Sequence, residues 1–124
     1  MWAKIIFAKG PILCVGLIAG IVSSMFGVGG GIILVPMLIF LLDLDMHQAV
    51  GTSLVIIIPT ALVGAYTHYR LENVNFVVAL IVIAGTVIGA WIGAHIAEHT
   101  QSVYLEKAFG LLLLMVSIKM IVGK

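Results

Sequence analysis

Residues 23–36 read Ser23-Ser24-Met25-Phe26-Gly27-Val28-Gly29-Gly30-Gly31-Ile32-Ile33-Leu34-Val35-Pro36. They sit inside a stretch, residues 10–42, that contains no Asp, Glu, Lys or Arg. Glycine costs about 1 kcal/mol per residue in a helix relative to alanine. Four glycines in five positions therefore favour a break. Length argues the same way. A straight helix over residues 11–42 would extend roughly 48 Å at 1.5 Å per residue, against a hydrocarbon core of about 30 Å. The spacing predicts two half-helices, about Ile12 to Met25 and Ile32 to Leu42, joined by non-helical backbone.

Outward from this stretch the chain repeats one pattern. Uncharged runs at residues 46–69, 73–97 and 108–118 are separated by short charged clusters. A membrane-crossing helix needs about 20 mostly apolar residues. Helices are expected over about Ala49–His68 and Val74–Ala97, and over Val103–Val122 if Lys119 snorkels to the interface. Composition agrees: hydrophobic residues make up 63% of the 124 residues and charged residues 9%. A soluble domain carries about 25% charged residues, so too few remain here to solvate a surface. Disorder is excluded by the same figures. A net charge of +1 provides no basic field for nucleic acid. Cys14 is the single cysteine, so no internal disulfide or cysteine-based zinc site is possible. The reading is an all-α integral membrane bundle, one domain over residues 1–124, with four transmembrane segments of which the first is interrupted. A cleaved signal peptide is disfavoured because the apolar run continues well past Ser24.

Topology follows from the basic residues. If the interrupted segment crosses once and the N-terminus is cytoplasmic, Lys4, Lys9, Arg70, Lys119 and Lys124 lie inside and Lys107 outside. If it re-enters as a hairpin, Lys4, Lys9 and Lys107 lie opposite Arg70, Lys119 and Lys124. The positive-inside rule prefers the first arrangement, with both termini cytoplasmic. Small residues at four-residue spacing, Gly85-Gly89-Gly93-Ala97 and Gly16-Gly20-Ser24, mark expected helix-packing faces. Pro59 should kink its span. Trp2, Tyr66, Tyr69 and Tyr104 fall near span ends, where interfacial anchors belong.

Catalytic patterns are absent: no H-E-x-x-H, no G-x-S-x-G and no phosphate loop with its lysine. An enzyme is not expected, nor any cofactor or metal. The spans hold no buried Asp or Glu, Glu106 falling near a span end, so a carboxylate proton relay has no obvious carrier. The glycine break does carry chemistry. A half-helix that starts within the membrane exposes amide N–H groups without internal partners, at the positive end of its dipole. Glycines let a ligand approach that backbone. The N–H groups of Gly30, Gly31, Ile32 and Ile33 could thus hold an anion without a basic side chain. A simple kink for close packing fits the spacing equally well. Thr52 and Ser53 offer hydroxyl donors, or cap the start of their helix. His47, His68, His95 and His99 fall at span ends, where one could titrate near neutral pH.

Two stretches resemble the signatures of the sulfite exporter TauE/SafE family, also called the toluene-sulfonate uptake permeases. One runs from Gly16-Leu-Ile-Ala-Gly20 through Ser23-Ser-Met-Phe-Gly-Val-Gly-Gly-Gly31 to Val35-Pro36. The other is His47-Gln-Ala-Val-Gly-Thr-Ser-Leu54. His68-Tyr-Arg70 and the glycine stripe follow in order. The similarity extends from about Gly10 to Ile121 but matches the N-terminal half only, since members are usually about twice as long. The resemblance implies secondary transport of a small anion, such as sulfite or an organosulfonate, across the bacterial inner membrane. It places substrate at Gly27, Gly29, Gly30 and Gly31, with Thr52 and Ser53. A chain of this length is expected to pair with a second copy, at least as a homodimer, or with a separately encoded C-terminal half. With an even number of crossings, two copies would stand parallel.

Overall fold

The computed structural model describes residues 9–123. Trp2, Lys4 and Lys124 lie outside them. Among the described residues there are five helices and no strand: α1 Lys9–Phe26, α2 Gly31–Leu42, α3 Met46–Arg70, α4 Phe76–Glu98 and α5 Ser102–Val122. Each lies within a few residues of its expected bounds, because each fills one apolar run between charged clusters. The helix break falls at the glycines. Gly27, Gly29 and Gly30 adopt φ of 68°, 72° and 81°, values that only glycine accepts without strain.

What the break does differs from the expectation of one interrupted crossing. α1 and α2 do not continue one another; they fold back side by side. Ile12 and Val15 near the start of α1 line the same apolar cavity, about 110 Å³, as Leu38, Leu41 and Leu42 at the far end of α2. At the other end Gly30 packs against Ser23, whose Cβ lies 3.5 Å from where a glycine Cβ would stand. In a collinear pair Ile12 and Leu42 would be roughly 45 Å apart at 1.5 Å per residue. Three left-handed glycines reverse the chain within four residues, and small residues at Ser23 and Gly30 let the arms close. The pair is a helical hairpin, and the single crossing is corrected accordingly.

α3 lies along this hairpin. Gly29 and Gly31 meet the side chain of Ile57, the twelfth of the helix's 25 residues, and Gly64 meets Ser24. The turn therefore rests near the middle of α3, while α2 ends beside its start. There Val35, Met46 and Ala49 form a small core, covered by Leu38, Ile39, Leu105 and Phe109. At the same end the Met46 N–H donates to Ser102 Oγ at 3.0 Å, and His47 Nε2 bonds the carbonyls of Ala97 and Thr100, each at 2.8 Å. The start of α3 thus touches the end of α4 and the start of α5, so α3, α4 and α5 alternate in direction.

α3 and α4 are long and apolar enough to cross a membrane by length and composition. α4 has no buried residue and exposes Leu80, Ile81, Val87, Ile88 and Trp91 by half or more. Leaving such side chains in water forgoes roughly 1.5–3 kcal/mol each; a lipid surround removes that penalty. The stripe Gly85, Gly89, Gly93 has no other described part of the chain within 4 Å of its missing Cβ positions, and neither do Gly16 and Gly20. Contacts to other helices come instead at the ends of the stripes, where Ser24 meets Gly64 and the Ala97 carbonyl meets His47.

Candidate anion site at the glycine turn

The turn, the last residues of α1 and the second half of α3 enclose a crevice of about 250 Å³, lined by Ser23, Ser24, Gly27, Gly29, Thr60, Gly64 and His68 among others. Each wall has a local cause. Gly64 carries no side chain, so Ser24 reaches it; a Cβ there would stand 3.1 Å from Ser24 Oγ. Pro59 lacks an N–H and interrupts the ladder of α3 at this level. Thr60 turns its hydroxyl onto the Ile56 carbonyl at 2.9 Å. His68 reaches across from α3 and places Nε2 2.9 Å from the Ser24 carbonyl. A carbonyl can only accept, so Nε2 carries the proton.

The backbone of the turn is polarised. The Gly27 N–H donates to the Ser23 carbonyl at 2.7 Å, completing α1. The Gly30 carbonyl accepts from the N–H groups of Ile33 and Leu34 at 3.1 and 2.8 Å, opening α2. Ile33 is thereby occupied within the chain and is not the free donor expected from the spacing. Gly31 and Ile32, at the first two positions of α2, have no carbonyl one turn earlier within their helix. Among the described residues no Asp, Glu, Lys or Arg lines the crevice. Its field comes from helix ends and from hydroxyl and imidazole groups.

Of the residues expected at a site, Gly27 and Gly29 line the crevice, and Gly30 and Gly31 form the adjoining turn and helix start. Thr52 and Ser53 are elsewhere. α3 begins at Met46 with Asp45 as its N-cap, so neither residue caps it. Thr52 is exposed, and Ser53 is buried with its hydroxyl donating to the Val50 carbonyl at 2.8 Å. Ser23, Ser24, Thr60 and His68 are the polar side chains that line the crevice with the turn glycines. Thr60, Gly64 and His68 recur every four residues, a ladder visible in the sequence once the turn is known to meet α3.

These features lie within the stretch that a family model matches. The family model described as Sulfite exporter TauE/SafE matches residues 12–124. The chain belongs to the sulfite exporter TauE/SafE family. Similar proteins include the probable membrane transporter protein YunE of Bacillus subtilis, 34% identical over 116 residues, covering 88% of this chain and 42% of the relative. The probable membrane transporter protein MJ0441 of Methanocaldococcus jannaschii is 30% identical over 109 residues, covering 83% and 41%. YjnA of B. subtilis, of the same description, is 31% identical over 118 residues, covering 90% and 46%. The chain thus spans less than half the length of these TauE/SafE relatives. No solved structure matches it. TauE/SafE membership and the apolar helices make it a membrane protein of a transporter family.

Proposed function

We propose that the chain forms the substrate-bearing half of a secondary transporter for a small anion, such as sulfite or an organosulfonate, in the cell inner membrane. The observation that carries this reading is the glycine turn, which sets the N-terminus of α2 against the middle of α3. Broken helices that end near the midplane serve as ion and substrate sites in secondary transporters. An anion there would take the N–H groups of Gly31 and Ile32 and approach over Gly27, Gly29 and Gly30. Thr60 and Ser24 would stand nearby, with Thr52 and Ser53 back toward the start of α3. No cofactor or nucleic acid enters this scheme. The missing wall of the path would come from a second copy or from a separately encoded C-terminal half.

The hairpin changes the membrane arrangement. We place α3, α4 and α5 as crossings and α1–α2 as a re-entrant pair on the side where α3 begins. Among the described residues Lys9 and Lys107 then lie on one side, and Arg70 and Lys119 on the other. Two against two fixes no orientation, and the ends fall on opposite faces rather than both in the cytoplasm. Nearly balanced positive charge is also what a small-ion channel inserting in both orientations would need, so such a channel is the second reading. Saturable slow flux in liposomes marks the carrier, and flux near diffusional rates the channel. For the site itself, Gly30→Leu should abolish sulfite movement in proteoliposomes while the protein still inserts. Unchanged movement would remove the glycine turn from the mechanism.

A further inference from the structure

The turn brings together two helix ends of opposite sign. α2 presents its positive N-terminus, but α1 delivers its negative C-terminus to the same place, with carbonyls that lack an internal partner. Left open, those carbonyls would repel the anion that the α2 amides attract. The Ser23 carbonyl is taken by Gly27. The Ser24 carbonyl is taken by His68, from a different helix and 44 residues away.

We infer that His68 is a positioning residue for the glycine turn: its Nε2–H masks the Ser24 carbonyl and pins the end of α1 to α3, removing one acceptor from beside the α2 amides. This rests on the glycine turn being the substrate site. The surroundings support a dedicated role. Gly64, one turn before His68, is the small residue that lets Ser24 come within reach. His68 lines the crevice alongside Gly27 and Gly29, with no charged side chain among the described residues there to substitute for it. Within a membrane an unsatisfied carbonyl has no water to turn to, so a donor supplied from another helix is what allows α1 to end there.

The test separates the donor from other properties of histidine. A glutamine side chain would keep an N–H at about the reach of Nε2, and a leucine side chain would not, so the variants are His68→Gln and His68→Leu. Amide hydrogen exchange over residues 24–32 in detergent should accelerate by on the order of tenfold in His68→Leu, as local opening becomes easier, and return to the wild-type rate in His68→Gln. In proteoliposomes with sulfite as the probe, His68→Leu should raise KM by on the order of tenfold with Vmax changed less than about threefold, the pattern of lost binding rather than lost turnover. His68→Gln should restore KM. Unchanged exchange in His68→Leu overturns the inference, and so does a KM defect of equal size in both variants. A wild-type protein that moves no sulfite would instead count against the transport reading, and the exchange comparison would still decide the role of His68.

Discussion

At the scale of single residues the neighbouring glycines are not equivalent. Gly30 has φ of 81°, and a Cβ there would lie 3.3 Å from Leu34 Cδ1 and 3.5 Å from Ser23 Cβ. Gly31 is helical, and a Cβ would meet Ile57 Cδ1 at an ordinary 3.7 Å. Gly30→Ala should therefore destabilise the protein by about 1–2 kcal/mol, the cost of a side chain in left-handed backbone, whereas Gly31→Ala should be near neutral. Thermal unfolding in detergent measures both; equal effects would mean that the turn conformation is not under strain control. The glycine run was legible in the sequence as a break because helix propensity is local. Its sense was not, because chain reversal depends on which glycines go left-handed and on Ser23 and Gly64 leaving room. The site shows the same divide. The glycines could be singled out as candidates from their own spacing, but Ser24 and His68 become partners only through the packing of α1 on α3.

At the scale of elements, helix bounds were readable because charged clusters punctuate apolar runs. End structure needs finer chemistry. The Asn75 side chain accepts from the Val78 N–H at 3.1 Å and opens α4. This helix has no buried residue to hold it, so its cap counts for more than usual. Asn75→Ala should lower stability by about 1 kcal/mol, measured by chemical unfolding in micelles, and Asn75→Asp should retain most of it. The opposite end of α4 is fastened differently. His47 takes the Ala97 and Thr100 carbonyls at the helix's C-terminus, with Asp45 Oδ2 3.5 Å from its other ring nitrogen. His47 read in isolation was only a span-end histidine. Contact across 50 residues is what gives it a task.

At the scale of the whole molecule the decisive quantity is the number of passages through the bilayer. Four and three differ only in whether α1 and α2 continue or reverse, and six basic residues in the sequence were too few to settle that. Reporter proteins fused after Gly123 and before Gly10 should report opposite faces of the membrane. Fusions reporting one face would restore four crossings and the parallel pairing that goes with them. The exposed face of α4, with its row of glycines, and the length of the TauE/SafE relatives both leave room for a second unit. Geometry then dictates how such a unit would sit. Because a re-entrant hairpin uses up two helices without changing sides, a tandem duplication joined by a short connection would land its second copy upside down. The symmetry axis would lie in the bilayer plane, and one anion pocket would open toward each leaflet by duplication alone.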